Sequence, residues 1–260
     1  MKLIKTLVLL LVLLLVLVLI AVIGYSGNQL WEIHKNSVQE AELHNRLLQY
    51  RPTQTTDART KQPIHDAEAD APYVNESIAD LQAEFPSVVG WLTVPNTQID
   101  YPFAQGVNND TYLHTDLDRR WSAAGTIFLD YRNSRTFTDF NTILYGHHMR
   151  NGSMFGTLQQ FEEQDFFNGN AVGTVFLLDK TYEIQFFAFA VIPPDDGVIY
   201  NPTHTTREER VAFLEHIKTT ARHYRDIGVT EYDQIITLST CNYEFHDARM
   251  VLMGRLVPTA

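Results

Sequence analysis

The chain has 260 residues, with 31 acidic side chains against 20 basic ones and a net charge of −11. This balance, with no basic run beyond the N-terminus, excludes nucleic acid as a partner and argues against adhesion to anionic lipid by charge. The length allows one sizeable core besides a terminal segment.

The N-terminus begins with an apolar run. Residues 6–25 read TLVLLLVLLLVLVLIAVIGY and follow Lys2 and Lys5. At about 1.5 Å per helical residue, the run spans a hydrocarbon core of about 30 Å. The positive-inside rule then predicts a cytoplasmic tip at 1–5 and an extracellular remainder. The alternative is a cleaved signal peptide, but the run is longer than the usual apolar core of about 7–15 residues. We expect an uncleaved single-pass signal anchor in the cell membrane.

Residues 26–72 are expected to form an extracellular helix and a polar stalk. The spacing of apolar residues over 27–50 predicts an amphipathic helix, which either acts as a spacer or docks on the globular domain. Residues 51–72 contain three prolines and almost no large apolar side chain. They are typical of a flexible tether or an exposed crossing segment.

Residues 73–260 are expected to form one globular domain, mainly β with flanking helices. A short helix is predicted at 75–84 with Asn75 as its cap, and a longer one at 206–224, where Thr206 and Glu209 have capping-box spacing. Short runs rich in β-branched and aromatic residues predict strands at 88–94, 98–103, 125–130, 141–145, 174–178, 182–192, 234–239 and 250–257. Many short strands with one late helix favour a single β-barrel of mixed connectivity.

The sequence contains a single cysteine, Cys241, at the end of a predicted strand. Exported proteins usually carry paired cysteines, and a lone one cannot form an internal disulfide. Cys241 is therefore either an inert buried thiol or a nucleophile.

Two other segments could supply what a nucleophilic thiol needs. A strand ending in Gly146-His147-His148 offers an imidazole as base, and Arg249, eight residues after the cysteine, offers a fork of donors for an oxyanion. His147 and His148 should point to opposite faces, so at most one serves a given site. The remaining histidines are assigned surface or packing roles. No His-x-x-x-His or Cys-x-x-Cys pattern occurs, and we assign no metal and no cofactor.

Taken together, these motifs resemble the sortase signature, and specifically a class B sortase. The resemblance rests on TLSTC ending at Cys241, Arg249 eight residues later, YGHHM upstream, and the strings 128–133 and 139–142. It covers roughly residues 75–257. It implies a closed β-barrel of about eight strands, with N-terminal helices and one long helix before the last strands.

The resemblance also assigns roles to residues. It implies Cys241 as nucleophile, His147 as acid/base and Arg249 as the arginine on the oxyanion side. It places the substrate-binding groove at Asn109, Leu113, Tyr145, Ser239, Thr240 and Asn242, with 194–200 and the following helix as the rest of the wall. Asn242 departs from the acidic residue of some members, which leaves substrate selectivity open.

The implied function is a membrane-anchored cysteine transpeptidase of a Gram-positive-type surface. It would cleave a C-terminal sorting motif of exported proteins and transfer the acyl group to an amine, either on a lipid-linked peptidoglycan precursor or on a pilin lysine. Anchoring to peptidoglycan and pilin polymerisation both stay open. A papain-like cysteine protease and an L,D-transpeptidase are the enzymatic alternatives, but the sequence lacks the cysteine motif of each family. An extracellular β-domain that only binds a ligand, with Cys241 buried, is the non-enzymatic alternative.

Overall fold

The computed structural model describes residues 2–53, 73–241 and 248–259. The chain divides into two compact units, Met1–Arg46 and Leu47–Ala260. Helix α1, Lys2–Leu47, continues without a break from the apolar run into the predicted amphipathic segment. It belongs to the one described helix that is long and apolar enough to cross a membrane.

The second unit is built on short strands that lie close to their predicted positions. Apolar and β-branched residues favour extended backbone here, as the sequence patterns indicated. In the described residues the strands are β1 Val88–Thr93, β2 Asp100–Gln105, β3 Ile127–Leu129, β4 Asn141–His147, β5 Val172–Leu177, β6 Thr181–Ile192, β7 His223–Tyr224, β8 Gln234–Cys241 and β9 Arg249–Pro258.

Eight of these strands close into a barrel, which confirms the predicted fold class. The hydrogen-bonded order is β5-β1-β2-β3-β4-β8-β9-β6, and pairing of β6 with β5 completes the ring. The pairs β2–β3 and β4–β8 are parallel and the others are antiparallel, so the connectivity is mixed as predicted. Strand β7 pairs with β6 at Ala188 and Phe189, beyond the stretch that β5 occupies.

Strand alternation sends apolar side chains to two sides of the barrel wall. All eight barrel strands contribute to one buried cluster, for example Phe103, Leu144 and Leu238, which fills the interior. Residues of the opposite register, such as Ile235 and Val251, pack outside with Phe213 of the late helix. The barrel wall is therefore packed on both of its sides.

The helices begin where their caps predicted. Helix α2, Glu76–Glu84, starts after Asn75, whose side chain accepts from the Ile78 amide at 3.2 Å. Helix α3 is Gln164–Gly169, after a 3₁₀ turn at Gly156–Glu162, and neither was predicted. Helix α4, Arg207–Thr220, carries the predicted capping box between Thr206 and Glu209.

The predicted extension of the late helix to residue 224 is wrong. At Ala221 the backbone leaves the helical region, and the amides of Arg222 and Arg225 donate to carbonyls of Phe189 and Phe187. Pairing with the exposed edge of β6 therefore replaces the last helical turn by strand β7.

Candidate active site

The segments that carry His147, Cys241 and Arg249 meet at one end of the barrel. Strands β4 and β8 are parallel, so their C-terminal ends lie at the same edge. Tyr145 is in register with Ser239, and His147 with Cys241. Strand β9 runs antiparallel to β8 and begins at Arg249, which brings its N-terminal end to this edge as well.

The glycine before His147 is required by packing. A Cβ at Gly146 would lie 2.9 Å from two ring atoms of Phe155, and Phe155 is fully buried in the barrel core. The Phe155 amide also donates to the His147 carbonyl at 2.9 Å. Phe155 of the core thus packs directly on the backbone of β4 at Gly146 and, through its amide, fixes the position of the His147 backbone.

The two adjacent histidines contact different parts of the fold. The Nε2 atom of His147 lies 2.6 Å from the Leu113 carbonyl, and its ring stacks on His114. The Nε2 atom of His148 lies 3.2 Å from Gln159 Oε1. This agrees with the predicted alternation, and only His147 is turned toward the β2–β3 connection.

An open cavity of about 260 Å³ lies over the outer surface of β4 and β8. Five of the six predicted substrate-binding residues line it together with Arg249. Asn242, the sixth, lies outside the described residues. The lining residues are Asn109, Asp110, Leu113, Phe128, Tyr145, Pro194, Tyr200, Ser239, Thr240 and Arg249. We call this cavity the groove.

Arg249 lines the groove. One guanidinium nitrogen, Nη1, donates to the Thr240 carbonyl over a long 3.4 Å. The Thr240 hydroxyl accepts from the Met250 amide at 3.0 Å, which ties the end of β8 to the start of β9. Arg249 is therefore tied to Thr240, the residue before Cys241, and lines the groove.

A buried carboxylate beneath the groove organises its floor. Asp130 is fully buried and follows directly on β3. It accepts hydrogen bonds from the Arg132 side chain at 2.7 and 2.8 Å, from Asn109 Nδ2 at 3.0 Å and from the Tyr145 hydroxyl at 3.1 Å. Asn109 in turn accepts from the Tyr131 amide at 3.0 Å. One carboxylate thus positions two of the predicted substrate-binding side chains.

The charge state of this floor follows from its contacts. Burial alone would raise the pKa of Asp130, but hydrogen bonds from Arg132 and Asn109 outweigh it and hold that pKa below its ordinary value. Burial and the neighbouring Asp130 charge raise the pKa of Tyr145 far above its ordinary value. Tyr145 is therefore a neutral hydroxyl at every physiological pH and donates to an ionised carboxylate.

The opposite wall of the groove is the loop at 194–200, which is held by β4, β8, α4 and Arg132. Its Tyr200 hydroxyl lies 2.9 Å from the Ser239 hydroxyl, and its Tyr200 carbonyl accepts from Arg132 at 2.9 Å. The buried Asn141 amide on β4 donates to the Ile199 carbonyl at 2.9 Å. From behind, His216 of α4 contacts Asp196 at 2.8 Å. Helix α4 thus supports the wall, and no described α4 side chain lines the groove.

The sequence analysis did not predict Asp130 and His114, which contact residues of the site, or Asp110 and Phe128, which line the groove. Asp130 enters the sequence analysis only within the string 128–133. An acidic residue directly after a predicted strand, with an arginine two positions later, is a local pattern that could have indicated the buried ion pair of Asp130 with Arg132. His114 was assigned a surface or packing role, and its stacking on His147 depends on a loop closure that no local pattern shows. No grouping of three His, Cys, Asp or Glu side chains suited to a metal occurs among the described residues.

Comparison with known proteins identifies the architecture. The family model described as a sortase domain matches residues 92–257. The chain belongs to the sortase family. Sortase B of Listeria monocytogenes is 38% identical over 188 residues, which cover 71% of this chain and 75% of the relative.

Solved structures agree on the class. A sortase B structure from B. anthracis superimposes with a TM-score of 0.73 at 29% identity, covering 86% of this chain and 99% of that one. A Staphylococcus aureus sortase B–substrate complex gives 0.69 at 28% identity, with 72% and 88% covered. The resemblance to class B sortases is thereby confirmed, and this sortase is a cysteine transpeptidase.

Proposed function

We propose that this sortase cleaves a C-terminal sorting motif of exported proteins with Cys241 as nucleophile and His147 as acid/base, and joins the acyl group to a cell-wall amine. The observation that carries the assignment is the register of β4 and β8, which pairs the backbone of His147 with that of Cys241 at the edge of the groove. Rigid paired strands hold reacting groups in fixed geometry better than loops do.

The reaction runs in two acyl transfers. The Cys241 thiolate attacks the carbonyl carbon of the scissile peptide bond and forms a tetrahedral oxyanion. The C–N bond then breaks, His147 gives a proton to the departing amine, and a thioester remains on Cys241. An incoming amine attacks the thioester, His147 takes up the proton that this amine loses, and the thiolate leaves.

Arg249 supplies positive charge where the oxyanion develops. An arginine side chain presents several donors in one plane, which suits a substrate oxygen. Thr240 fixes its position from the adjacent strand. Such a donor typically contributes about 3–4 kcal/mol to the transition state.

The groove suits an extended peptide. It offers apolar contacts from Leu113, Phe128 and Pro194 and polar groups from Asn109, Tyr200 and Arg249. An extended peptide needs both, because its side chains alternate with unpaired backbone groups. Support for a peptide ligand comes from the related Staphylococcus aureus sortase B, which has been solved as a substrate complex.

The N-terminal helix serves as the membrane anchor in this proposal. Residues 6–25 form a cytoplasm-to-exterior span with the tip 1–5 inside, residues 26–72 a stalk, and 73–260 the extracellular catalytic domain. The apolar part of helix α1 has a mean hydropathy of 3.6 over its most apolar window. Confining the enzyme, its membrane-retained substrate and a lipid-linked peptidoglycan precursor to one surface raises their effective concentration.

Product analysis tests this proposal. The full chain in detergent is incubated with fluorogenic peptides that carry candidate sorting motifs, alone and with an amine acceptor. We expect cleavage and a new amide product with wild type, and neither with Cys241→Ala at equal folded concentration. Turnover by Cys241→Ala would refute the assignment of Cys241 as the nucleophile. Offering a glycine-type peptidoglycan amine and a pilin-type lysine side by side shows which acceptor is used.

A further inference from the structure

Two consecutive residues hold one imidazole at the edge of the groove. The Leu113 carbonyl lies 2.6 Å from His147 Nε2. The ring of His114 stacks on the ring of His147, with the centroids 5.2 Å apart and the planes at 26°. One contact fixes an edge of the His147 ring and the other fixes a face, so together they define both its position and its rotation.

The hydrogen bond also determines the protonation pattern of His147. A carbonyl oxygen only accepts, so the nitrogen that faces it must carry hydrogen. Nε2 therefore holds a proton in both the neutral and the charged imidazole, and Nδ1 is the nitrogen whose proton changes. Which nitrogen exchanges a proton is set by the bond the other one makes.

We propose that Leu113 and His114 form a two-point clamp that holds His147 as its Nε2–H tautomer, so that Nδ1 is the nitrogen that exchanges the catalytic proton. His114 is then a positioning residue for the reaction. This inference rests on the proposed role of His147 and adds the device that orients it.

The clamp is itself rigid, as a positioning device must be. The Ser122 amide donates to the His114 carbonyl at 3.0 Å, and the Thr126 amide donates to the Tyr112 carbonyl at 3.0 Å. Gly125 has a φ of +59°, and a Cβ there would lie 2.4 Å from the Leu113 carbonyl oxygen. Only glycine allows the chain to approach the very carbonyl that accepts from His147.

The test compares His114→Ala with His114→Phe in the full chain in detergent. Alanine removes the stacked ring, whereas phenylalanine keeps a ring of similar shape. We expect His114→Ala to lower kcat about tenfold or more, toward the about 100-fold that a misplacement near 1 Å can cost. We expect KM to stay within about twofold, since ground-state binding is not removed. His114→Phe should recover most of kcat.

A spectroscopic readout follows the clamp without turnover. In protein labelled with ¹⁵N-histidine, the His147 signals are assigned by their absence in His147→Gln. We expect the Nε2–H pattern in wild type and His114→Phe, and a mixture of tautomers in His114→Ala. The same pure Nε2–H pattern in all three, with unchanged kcat, would overturn the clamp.

Two controls separate the possible failures. His223 also stacks on an aromatic ring, Phe189, and also contacts a carbonyl, that of Glu162 at 2.7 Å, but it lies on β7, which pairs with β6 and not with β4 or β8. His223→Ala should leave kcat and the His147 signals unchanged, which shows that loss of a stacked histidine is not harmful in general. Full activity of His147→Ala would contradict the proposed role of His147 in the reaction. The tautomer signals of His147 in wild type and in the His114 variants would still test the clamp.

Discussion

Replacing Asp130 by asparagine removes the carboxylate beneath the groove while keeping its volume. In wild type, Oδ1 accepts from the backbone amide and Nε of Arg132, and Oδ2 accepts from Arg132 Nη2, Asn109 and Tyr145. An asparagine side chain has one oxygen and one NH₂ group. Whichever way it is oriented, the NH₂ group faces donors that previously had an acceptor.

The size of the effect follows from these contacts. The better orientation still loses the two bonds to Oδ1. Bonds to charged groups contribute about 1.5–3 kcal/mol each, and water partly replaces them at Arg132, whose side chain is 39% exposed. We expect Asp130→Asn to lower the free energy of unfolding by about 2–4 kcal/mol. For a domain of this size that is a Tm lower by about 4–16 °C.

Thermal and denaturant melts of wild type and Asp130→Asn at several pH values measure this difference in the free energy of unfolding. The pKa of Asp130 is lower in the folded chain than its ordinary value of 3.8. The carboxylate therefore stabilises the fold above that value, and the stabilisation is lost as the pH falls through the lowered pKa. The difference between wild type and Asp130→Asn should be full at about pH 7 and should shrink below about pH 4. In peptide turnover, KM should rise more than kcat falls, because Asn109 and Tyr145 lose their common anchor.

Asp100→Asn is the matched control. Asp100 also pairs with an arginine, Arg51 at 2.8 Å, and also accepts from a buried donor, Trp91 Nε1 at 2.8 Å, but it does not line or support the groove. The Asp100→Asn substitution should lower the free energy of unfolding without raising KM. The reasoning would be refuted by an Asp130→Asn variant with wild-type stability at neutral pH, or by a stability difference that stays constant down to about pH 3.

Other substitutions test the remaining parts of the account. Arg249→Lys should lose nearly as much kcat/KM as Arg249→Ala, about 100-fold or more, because an ammonium cannot reproduce the planar fork; near-normal turnover would contradict this. His147→Ala should lose at least about 100-fold in rate and His148→Ala much less, and reversed losses would show that His148 is the base. A chain beginning at Tyr73 should be soluble, monomeric and active on peptide, with a lower Tm than the full chain because it lacks Arg51, which pairs with Asp100; loss of activity would show that residues before Tyr73 are needed for the active fold.

Local sequence signals determined much of the fold. Capping residues placed the starts of α2 and α4 correctly, and runs rich in β-branched and aromatic residues predicted all eight barrel strands. The end of α4 was predicted wrongly because an edge of β6, distant in sequence, competes for the amides of Arg222 and Arg225. Propensity cannot show that competition, since it depends on tertiary pairing.

The candidate site was predictable where its residues sit in one motif. The run ending at Cys241, the arginine eight residues later and the glycine–histidine strand end are local patterns, and the structure brings their segments to one edge. The contacts of Asp130 with Asn109 and of His114 with His147 join segments separated along the chain. They depend on how the β2–β3 connection closes, which no spacing in the sequence specifies.

In the proposed reaction, Cys241 carries the acyl group between donor and acceptor. The intact mass of the full chain, measured after incubation with the peptide substrate and no amine, shows whether this acyl-enzyme forms. We expect an added mass equal to the N-terminal acyl fragment, located on the Cys241 peptide and released when an amine is added. Absence of any adduct during active cleavage, or an adduct that persists in Cys241→Ala, would contradict it.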